Sequence, residues 1–378
     1  MPTPRDNIQR LDPYTPGEQL DTSVVTKLNT NENPYPPSPK VMQAIRELPA
    51  EKLRVYPPPL AQPFRRAAAE LHGLDPANVI ATNGGDELLR LILTCYCEPQ
   101  KKGISTLKTE QGSGVVPSAR VTGGIGVTEP TYSLYPVLAA IQDTPVTVVE
   151  RDDNFAIAEE TIDQWNQANC RVGMIVNPHA PTGRFETIET LGILADRFNG
   201  LLLIDEAYVN FAPADAIELV HDGVDNVILL RSLSKGYSLA GLRFGYGLAH
   251  PGVITTLDKA RDSYNTDALS QAAAVAAITD QAYAQDTWRK VIEQRERLTE
   301  ELRRRGFVVL DSHSNFVLVT PPNPGADKFT AAQLYADLKA RHLLVRYFNA
   351  PRLDDKLRIT VGTPEQVDKL LDAIDELN

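Results

Sequence analysis

One stretch of the chain concentrates groups able to do covalent chemistry: Leu229-Leu230-Arg231-Ser232-Leu233-Ser234-Lys235-Gly236-Tyr237-Ser238-Leu239-Ala240-Gly241-Leu242-Arg243. A lysine follows an apolar, strand-like run, with two serine hydroxyls before it and an arginine after it. An ordinary lysine has a pKa of about 10.4 and belongs on the surface. Lys235 instead lies between the apolar run and the small-residue segment 239–242, where loss of water would lower its proton affinity. A desolvated lysine is the side chain that forms Schiff bases with carbonyl compounds. Upstream, Leu201-Leu202-Leu203-Ile204 runs into Asp205-Glu206-Ala207-Tyr208, which puts a carboxylate at a strand end.

A second segment supplies anion chemistry. Thr82-Asn83-Gly84-Gly85-Asp86-Glu87 opens a helix that continues to Cys97. Glycines let a backbone approach closely, and a helix N-terminus offers free amides and the positive end of its dipole. Alone this is an ordinary helix start. With Ser232, Ser234 and Arg243 it becomes one half of a phosphate cradle. A Schiff-base lysine, a strand-end aspartate and a phosphate cradle are together the parts that hold pyridoxal phosphate.

These groups must be positioned by a scaffold. Val172 to Val176, Leu201 to Ile204, Val227 to Leu230 and Phe244 to Leu248 are brief, apolar on both faces and separated by amphipathic stretches such as Thr187 to Phe198. That pattern predicts parallel strands covered on both sides, an α/β sheet. In such sheets ligands bind beyond the carboxyl ends of the strands. Asn177, Asp205 and Arg231-Ser232 follow or end such runs and are expected to converge there. The first 60 residues, with Asn33-Pro34-Tyr35-Pro36-Pro37 and Tyr56-Pro57-Pro58-Pro59, read as an extended arm because proline lacks a donor and restricts its predecessor. After about residue 265 the texture changes. A charged helix from about Tyr283 to Arg305, ended by Gly306, is followed by alternating strands and helices of a smaller α+β unit. The expected division is a large domain over 45–265 and a second unit made of 1–44 and 266–378. Segment 101–122 is rich in Gly, Ser, Thr and Lys without periodicity and reads as a loop insertion.

Composition bounds the function classes. The 378 residues are 42% apolar and 23% charged, with a formal charge of −11. Such a field repels nucleic acid and anionic membranes, so an anionic substrate must be drawn by a local cationic pocket. No run approaches the roughly 18 apolar residues of a membrane span, and no secretory h-region opens the chain. The three cysteines, Cys95, Cys97 and Cys170, lack metal or redox spacing and suit a reducing compartment. The expectation is a cytoplasmic protein without a metal.

The motifs Asp205-Glu206-Ala207-Tyr208, Ser232-Leu233-Ser234-Lys235, Arg243 and Pro181-Thr182-Gly183 resemble those of fold type I aminotransferases. Leu28-Asn29-Thr30-Asn31-Glu32-Asn33-Pro34, Asn83-Gly84-Gly85-Asp86-Glu87, Glu129-Pro130-Thr131-Tyr132-Ser133-Leu134-Tyr135, Val345-Arg346-Tyr347-Phe348 and Leu357-Arg358-Ile359-Thr360-Val361-Gly362 are similar to the histidinol-phosphate aminotransferase family, along nearly the whole chain. The resemblance implies a large domain with a mostly parallel central sheet covered by helices, a smaller α+β domain and a pyridoxal phosphate cofactor. Lys235 would carry the cofactor and then move the proton. Asp205 would pair with the pyridine nitrogen, making the ring an electron sink, and Tyr208 would bond the ring oxygen. Gly85, Asp86, Ser232, Ser234 and Arg243 would take the phosphate, Tyr132 would stack on the ring, and Asn177 completes the cofactor set. Arg358, with Arg346 beside it, would anchor the substrate anion, since a guanidinium fork fits carboxylate and phosphate alike. Asn31 and Glu32 on the arm belong to the substrate side, Glu32 as a candidate partner for an imidazole. Tyr56 would reach the phosphate of a partner subunit and Tyr14 the partner's substrate, which implies a homodimer.

One departure stands out. Members of the family commonly have asparagine immediately before Pro-Thr-Gly, touching the ring oxygen; here the residue is Ala180, which leaves that contact to Tyr208 and predicts a less depressed Schiff-base pKa. The implied reaction interconverts histidinol phosphate and 2-oxoglutarate with imidazole-acetol phosphate and glutamate. An aromatic amino-acid aminotransferase and a phospho-amino-acid decarboxylase are the rival enzymes. A silent binding module is the rival from another class, expected to have lost the lysine.

Overall fold

In the computed structural model, which describes residues 2–11, 18, 24–100, 123–322 and 330–377, short apolar runs pair into one seven-stranded sheet. Its strands are β1 (Val79–Thr82), β2 (Ile125–Glu129), β3 (Val146–Glu150), β4 (Val172–Val176), β5 (Leu201–Asp205), β6 (Val227–Ser232) and β7 (Gly245–Ala249), in spatial order β1-β7-β6-β5-β4-β2-β3. Strands β2 to β6 are parallel. All residues of β4 and β5 are buried, which is why they read as continuous apolar runs without alternation.

The last of the runs expected to be parallel is not. β7 lies antiparallel to both β6 and β1. A parallel return needs a full crossover, commonly a helix. The lysine-bearing connection between β6 and β7 holds only a 3-10 turn, Ala240–Leu242, so the chain turns straight back.

Helices cover both faces. α1 (Gln62–His72), α2 (Gly85–Tyr96), α3 (Leu134–Gln142), α4 (Ile188–Arg197) and α5 (Ala268–Thr279) surround the sheet. Phe64, Trp165, Ala273 and Phe244 are buried in the core on one face, and Leu88, Tyr135, Met174 and Leu257 in that on the other. α4 matches its sequence expectation, with Thr187 capping Thr190 N as short hydroxyl side chains do.

A separate core, including Leu28, Leu298, Val317, Leu334, Ile359 and Leu370, lies under a second sheet. That sheet has strands β8 (Val308–Val309), β9 (Phe316–Thr320), β10 (Arg346–Tyr347) and β11 (Leu357–Thr360), in order β10-β11-β9-β8 and all antiparallel. α6 (Gln281–Arg304) and α7 (Pro364–Leu377) flank it, with Gly306 after α6 at φ 83°. The arm is more structured than its prolines suggest. Pro39–Arg46 is helical, capped by Ser38, because proline in a first helical turn gives up no needed donor. Thr26–Lys27 pairs in parallel with Leu343–Leu344, so the arm is sewn into the second core. The insertion at 101–122 lies outside the described residues.

Candidate active site

A cavity of about 1100 Å³ opens where β2, β5 and β6 end, between the large sheet, the arm and the small sheet. Its walls carry Gly85, Asp86, Tyr132, Asp205, Tyr208, Ser232, Ser234, Lys235, Arg243, Arg346 and Arg358, together with Asn31 and Glu32 of the arm. Residues far apart in the sequence thus meet at one sheet edge, because parallel strands deliver their carboxyl ends to the same side.

At one end the backbone is drawn tight. Gly84 has φ 78°, and a Cβ on it would stand 2.8 Å from Arg243 Nη2. A Cβ on Gly245 would stand 2.8 Å from the Gly84 carbonyl carbon and 2.9 Å from Gly85 N. The N-terminus of α2 therefore sits directly against the β6–β7 connection, with its first amides beside the Arg243 guanidinium. Arg243 Nη2 is 3.4 Å from Asp86 Oδ2, both side chains about half exposed. Ser232 Oγ accepts the amide of Ser234 at 3.1 Å, which folds the two hydroxyls into one turn. Helix-start amides, hydroxyls and a guanidinium in this arrangement are suited to hold an anion.

The floor is held by bonds within the chain. Asp205 is buried at the end of β5; its Oδ2 accepts the Tyr135 hydroxyl at 2.8 Å and its Oδ1 the Ala207 amide at 3.0 Å. Burial pushes the carboxyl up to about 6, against the pull of these two donors. Lys235 Nζ donates to the Thr30 carbonyl at 2.9 Å. Burial lowers its pKa to about 8; Arg358, Arg243 and Lys27 add to that, and Glu32 opposes it. The Tyr208 hydroxyl accepts Asn31 Nδ2 at 3.0 Å. Asn31 is itself fixed: Thr360 Oγ1 lies 3.0 Å from both its amide and its Oδ1, and its carbonyl accepts Asn315 Nδ2 at 2.9 Å. The φ of 58° at Asn31 is a left-handed conformation that asparagine tolerates.

Above the floor, Arg346 and Arg358 are register partners across β10 and β11. Like charges directly opposite on a sheet repel, so an anion between them would relieve the pair. The Arg358 guanidinium lies 5.2 Å from the Phe316 ring centre and 5.4 Å from that of Phe348, and Arg346 lies 5.2 Å from Phe348. Aromatic faces hold such cations without neutralising them. Arg358 Nη2 also donates to the Asn29 carbonyl at 2.9 Å.

Some expected residues are placed differently. The side-chain amide of Asn177 is engaged at both ends by the Glu186 backbone, at 3.1 and 2.8 Å, and does not line the cavity. Arg231 points away from Ser232, since neighbours on a strand face opposite sides. It pairs with Glu206 at 2.7 Å and Asp215 at 3.0 Å in another cleft. His179, one residue from Ala180, cannot replace the missing asparagine: its ring is buried between Thr182 Oγ1 at 2.7 Å and the Pro130 carbonyl at 2.8 Å. Glu32 binds Lys27 and Thr30. Burial alone would raise its carboxyl, but those bonds and the cations Lys27 and Lys235 together hold it below the usual range. Tyr56 is 79% exposed, away from the cavity, with its ring stacked on Tyr264 at 4.4 Å. Tyr14 lies outside the described residues.

Sequence reasoning passed over three side chains. Tyr135 stands in the first turn of α3, three residues after Tyr132, and its place in the Glu129–Tyr135 motif was the available signal. Arg352 Nη1 donates to the Arg151 carbonyl at 2.7 Å and to Glu150 at 3.3 Å, and its Nη2 to the Asp152 carbonyl. Glu129 lines the wall beside its register partner Glu150. For neither Arg352 nor Glu129 did any spacing point to the cavity.

This sheet, with a buried aspartate, a lysine and an anion site at one edge, is the architecture of the aminotransferases, and the family model "Aminotransferase class I and II" matches residues 23–107 and 118–374. Histidinol-phosphate aminotransferase 1 of a Nostoc strain is 41% identical over 375 residues, 99% of this chain and 97% of that protein. The histidinol-phosphate aminotransferase of Citrifermentans bemidjiense is 39% identical over 99% of this chain and 98% of its own. Among solved structures, histidinol-phosphate aminotransferase from Sinorhizobium meliloti in complex with pyridoxal-5'-phosphate superposes with a TM-score of 0.84 at 27% identity, covering 99% of this chain and 96% of that one. The chain belongs to the histidinol-phosphate aminotransferases of the class I and II family.

Proposed function

We propose that the protein is an aminotransferase that exchanges an amino group between histidinol phosphate and 2-oxoglutarate, giving imidazole-acetol phosphate and glutamate, in two ping-pong halves with pyridoxal phosphate. The observation that carries this reading is the meeting, in one cavity, of Lys235, buried Asp205 and the Arg346–Arg358 pair. The donor set fits the cofactor: helix amides at Gly85 and Asp86, the Ser232 and Ser234 hydroxyls and Arg243 suit its phosphate, and Asp205 suits its ring nitrogen. When bound, that group supplies a reactive aldehyde carbon and an electron sink.

The chain's own residues do the rest. With its pKa brought down to about 8, Lys235 carries a useful neutral fraction near neutrality, so its Nζ can both attack a carbonyl carbon and accept a proton from the substrate carbon. With the cofactor in place, Asp205 would pair with its ring nitrogen, Tyr208 would donate to its ring oxygen, and Tyr132 would wall one side of the site. Arg358, helped by Arg346, binds whichever anion the substrate presents, the phosphate of one or the carboxylate of the other.

The same reading extends to assembly. Leu53, Val55, Tyr56 and Tyr264 are exposed apolar or aromatic side chains, which supports a homodimer in which Tyr56 and Tyr14 serve the partner's site; sedimentation tests it. No described helix is long and apolar enough to cross a membrane, and a cytoplasmic location is proposed on chemical class. We also propose a division into a large unit over 45–265 and a second unit of 1–44 and 266–378. The packing of α5 on the large sheet favours moving the second boundary one helix later.

The test is a half-reaction. Protein loaded with pyridoxal phosphate is mixed separately with histidinol phosphate, glutamate and phenylalanine, and loss of the cofactor's lysine-bound absorbance is followed. Fast conversion by the first two and slow conversion by phenylalanine is expected. If phenylalanine is fastest, the substrate assignment is wrong; if no amine changes the spectrum, so is the reaction.

A further inference from the structure

Tyr135 lies in the first turn of α3 and is completely buried. Its hydroxyl donates to Asp205 Oδ2 at 2.8 Å. Its ring meets Tyr132 edge-on, with centroids 5.6 Å apart and planes at 84°. One side chain thus touches the carboxylate at the sheet edge and the tyrosine of the side wall.

We propose that Tyr135 is a positioning residue: its hydroxyl fixes the orientation of the Asp205 carboxylate and keeps it ionised, so that its free lone pairs face the cavity. This rests on the cofactor reading above. The physical need is plain. A carboxylate removed from water loses its hydration and must recover it from fixed donors. Asp205 has two, Tyr135 and the Ala207 amide. Against them work burial and, more weakly, the charge of Asp86 on α2. The titratable groups that share the cavity with it are Tyr132 before α3, Tyr208 after β5, Lys235 and Arg243 after β6, Glu32 of the arm, Glu129, Glu150, Arg151 and Asp153 at and after the ends of β2 and β3, and Arg346, Arg352 and Arg358 of the small unit. Burial, and then Asp205 itself, hold the Tyr135 phenol far above its ordinary range, so it remains a donor at every working pH. Because the bond reaches Oδ2 from the α3 side, it also selects which way the carboxylate plane lies.

The discriminating variant is Tyr135→Phe, which keeps the ring, the edge contact with Tyr132 and the core volume, and removes only the hydroxyl. Loss of a hydrogen bond to a charged group predicts pyridoxal phosphate binding to the cofactor-free protein weaker by about tenfold or more. The acid limb of the kcat–pH profile should move to higher pH, while KM for the amino donor stays within about twofold. A double-mutant cycle with Asp205→Asn guards against a general folding defect. If the role runs through the Asp205 charge, Tyr135→Phe adds little once Asp205→Asn is in place; if Tyr135 is only structural, its loss is the same with or without that change. Unchanged cofactor affinity with an unmoved acid limb overturns the proposal, as does an additive cycle. Should the parent itself take up no pyridoxal phosphate, the function reading fails first and visibly, before any variant is compared.

Discussion

The floor of the cavity and its arginine rim treat charge in opposite ways. On the floor, Asp205 is buried and Lys235 half-buried, and loss of water drives their proton affinities toward each other, up to about 6 and down to about 8. Each is steadied by a bond to a neighbour, Tyr135 or the Thr30 carbonyl. On the rim, Arg346 and Arg358 face each other across two strands and rest on Phe316 and Phe348. A guanidinium does not titrate in any working range. The floor is made of groups that can exchange protons, the rim of groups that cannot. A site that must move a proton and hold two different anions needs both kinds, on separate supports: the ends of a rigid parallel sheet for the first, a small antiparallel sheet for the second.

Breaking the floor should be the more severe. Lys235→Ala removes the proposed attachment point and proton carrier, and transamination is expected to fall by roughly 10⁴-fold or more, measured as single-turnover conversion with histidinol phosphate. The rim is expected to fail by degrees. Arg358→Ala should lower kcat/KM by about 10²-fold for both substrates, because a charge-assisted fork is lost, and Arg346→Ala by about tenfold. Equal losses from the two arginines would show that the register pair acts as one clamp. Losses confined to one substrate would show that each anion has its own arginine.

The floor also makes a stability prediction that the rim does not. In the folded, cofactor-free protein Lys235 holds its proton less tightly than in the unfolded chain, so its contribution is destabilising, fully so below about pH 8, and is relieved as pH rises toward 10.5. Lys235→Met should therefore be more stable than the parent at pH 7, by on the order of 1–2 kcal/mol, with the gap closing as the pH approaches 10.5. Asp205 has the opposite sign: its raised pKa contributes stability in acid that is lost as pH rises from about 4 to about 6. For Asp205→Asn the gap should close below about pH 4. Denaturant melts of cofactor-free protein across that range check both; an inactive variant no more stable than its parent would remove the contrast between floor and rim.

The two regions were not equally legible in the sequence. Lys235 and Asp205 announce themselves because each follows or ends a run of buried β-branched and leucine residues, and such runs occur where a strand is covered on both faces. The helix start at Gly85 was readable from its glycines. What could not be read were facts of direction and pairing. Whether β7 returned parallel or antiparallel depended on a connection with no helix in it. Which way Arg231 pointed depended on its register beside Ser232. Asn177 looked like a site residue by position, yet its amide closes a local loop with Glu186. Tyr135 was visible as a letter in a motif, but its bond to Asp205 joins positions 70 residues apart, and only the sheet order brings them together.

Ala180 offers the gentlest way to sharpen the contrast. It is buried, lines the cavity beside Pro181, and stands where the family resemblance implied a side-chain amide. His179 is locked elsewhere, so on this wall the tuning of a bound ring's oxygen would fall to Tyr208, whose hydroxyl accepts Asn31 Nδ2. Ala180→Asn adds one donor without touching a charged group. A single hydrogen bond to a charge is worth about 1.5–3 kcal/mol when well formed, and part of that is lost to crowding at a closely packed position. The pKa of the lysine-bound cofactor absorbance should therefore fall by about one unit or less, with little change in KM. A fall of that size would show that the floor is tuned by counted donors. An unchanged titration would show that Tyr208 already saturates the oxygen.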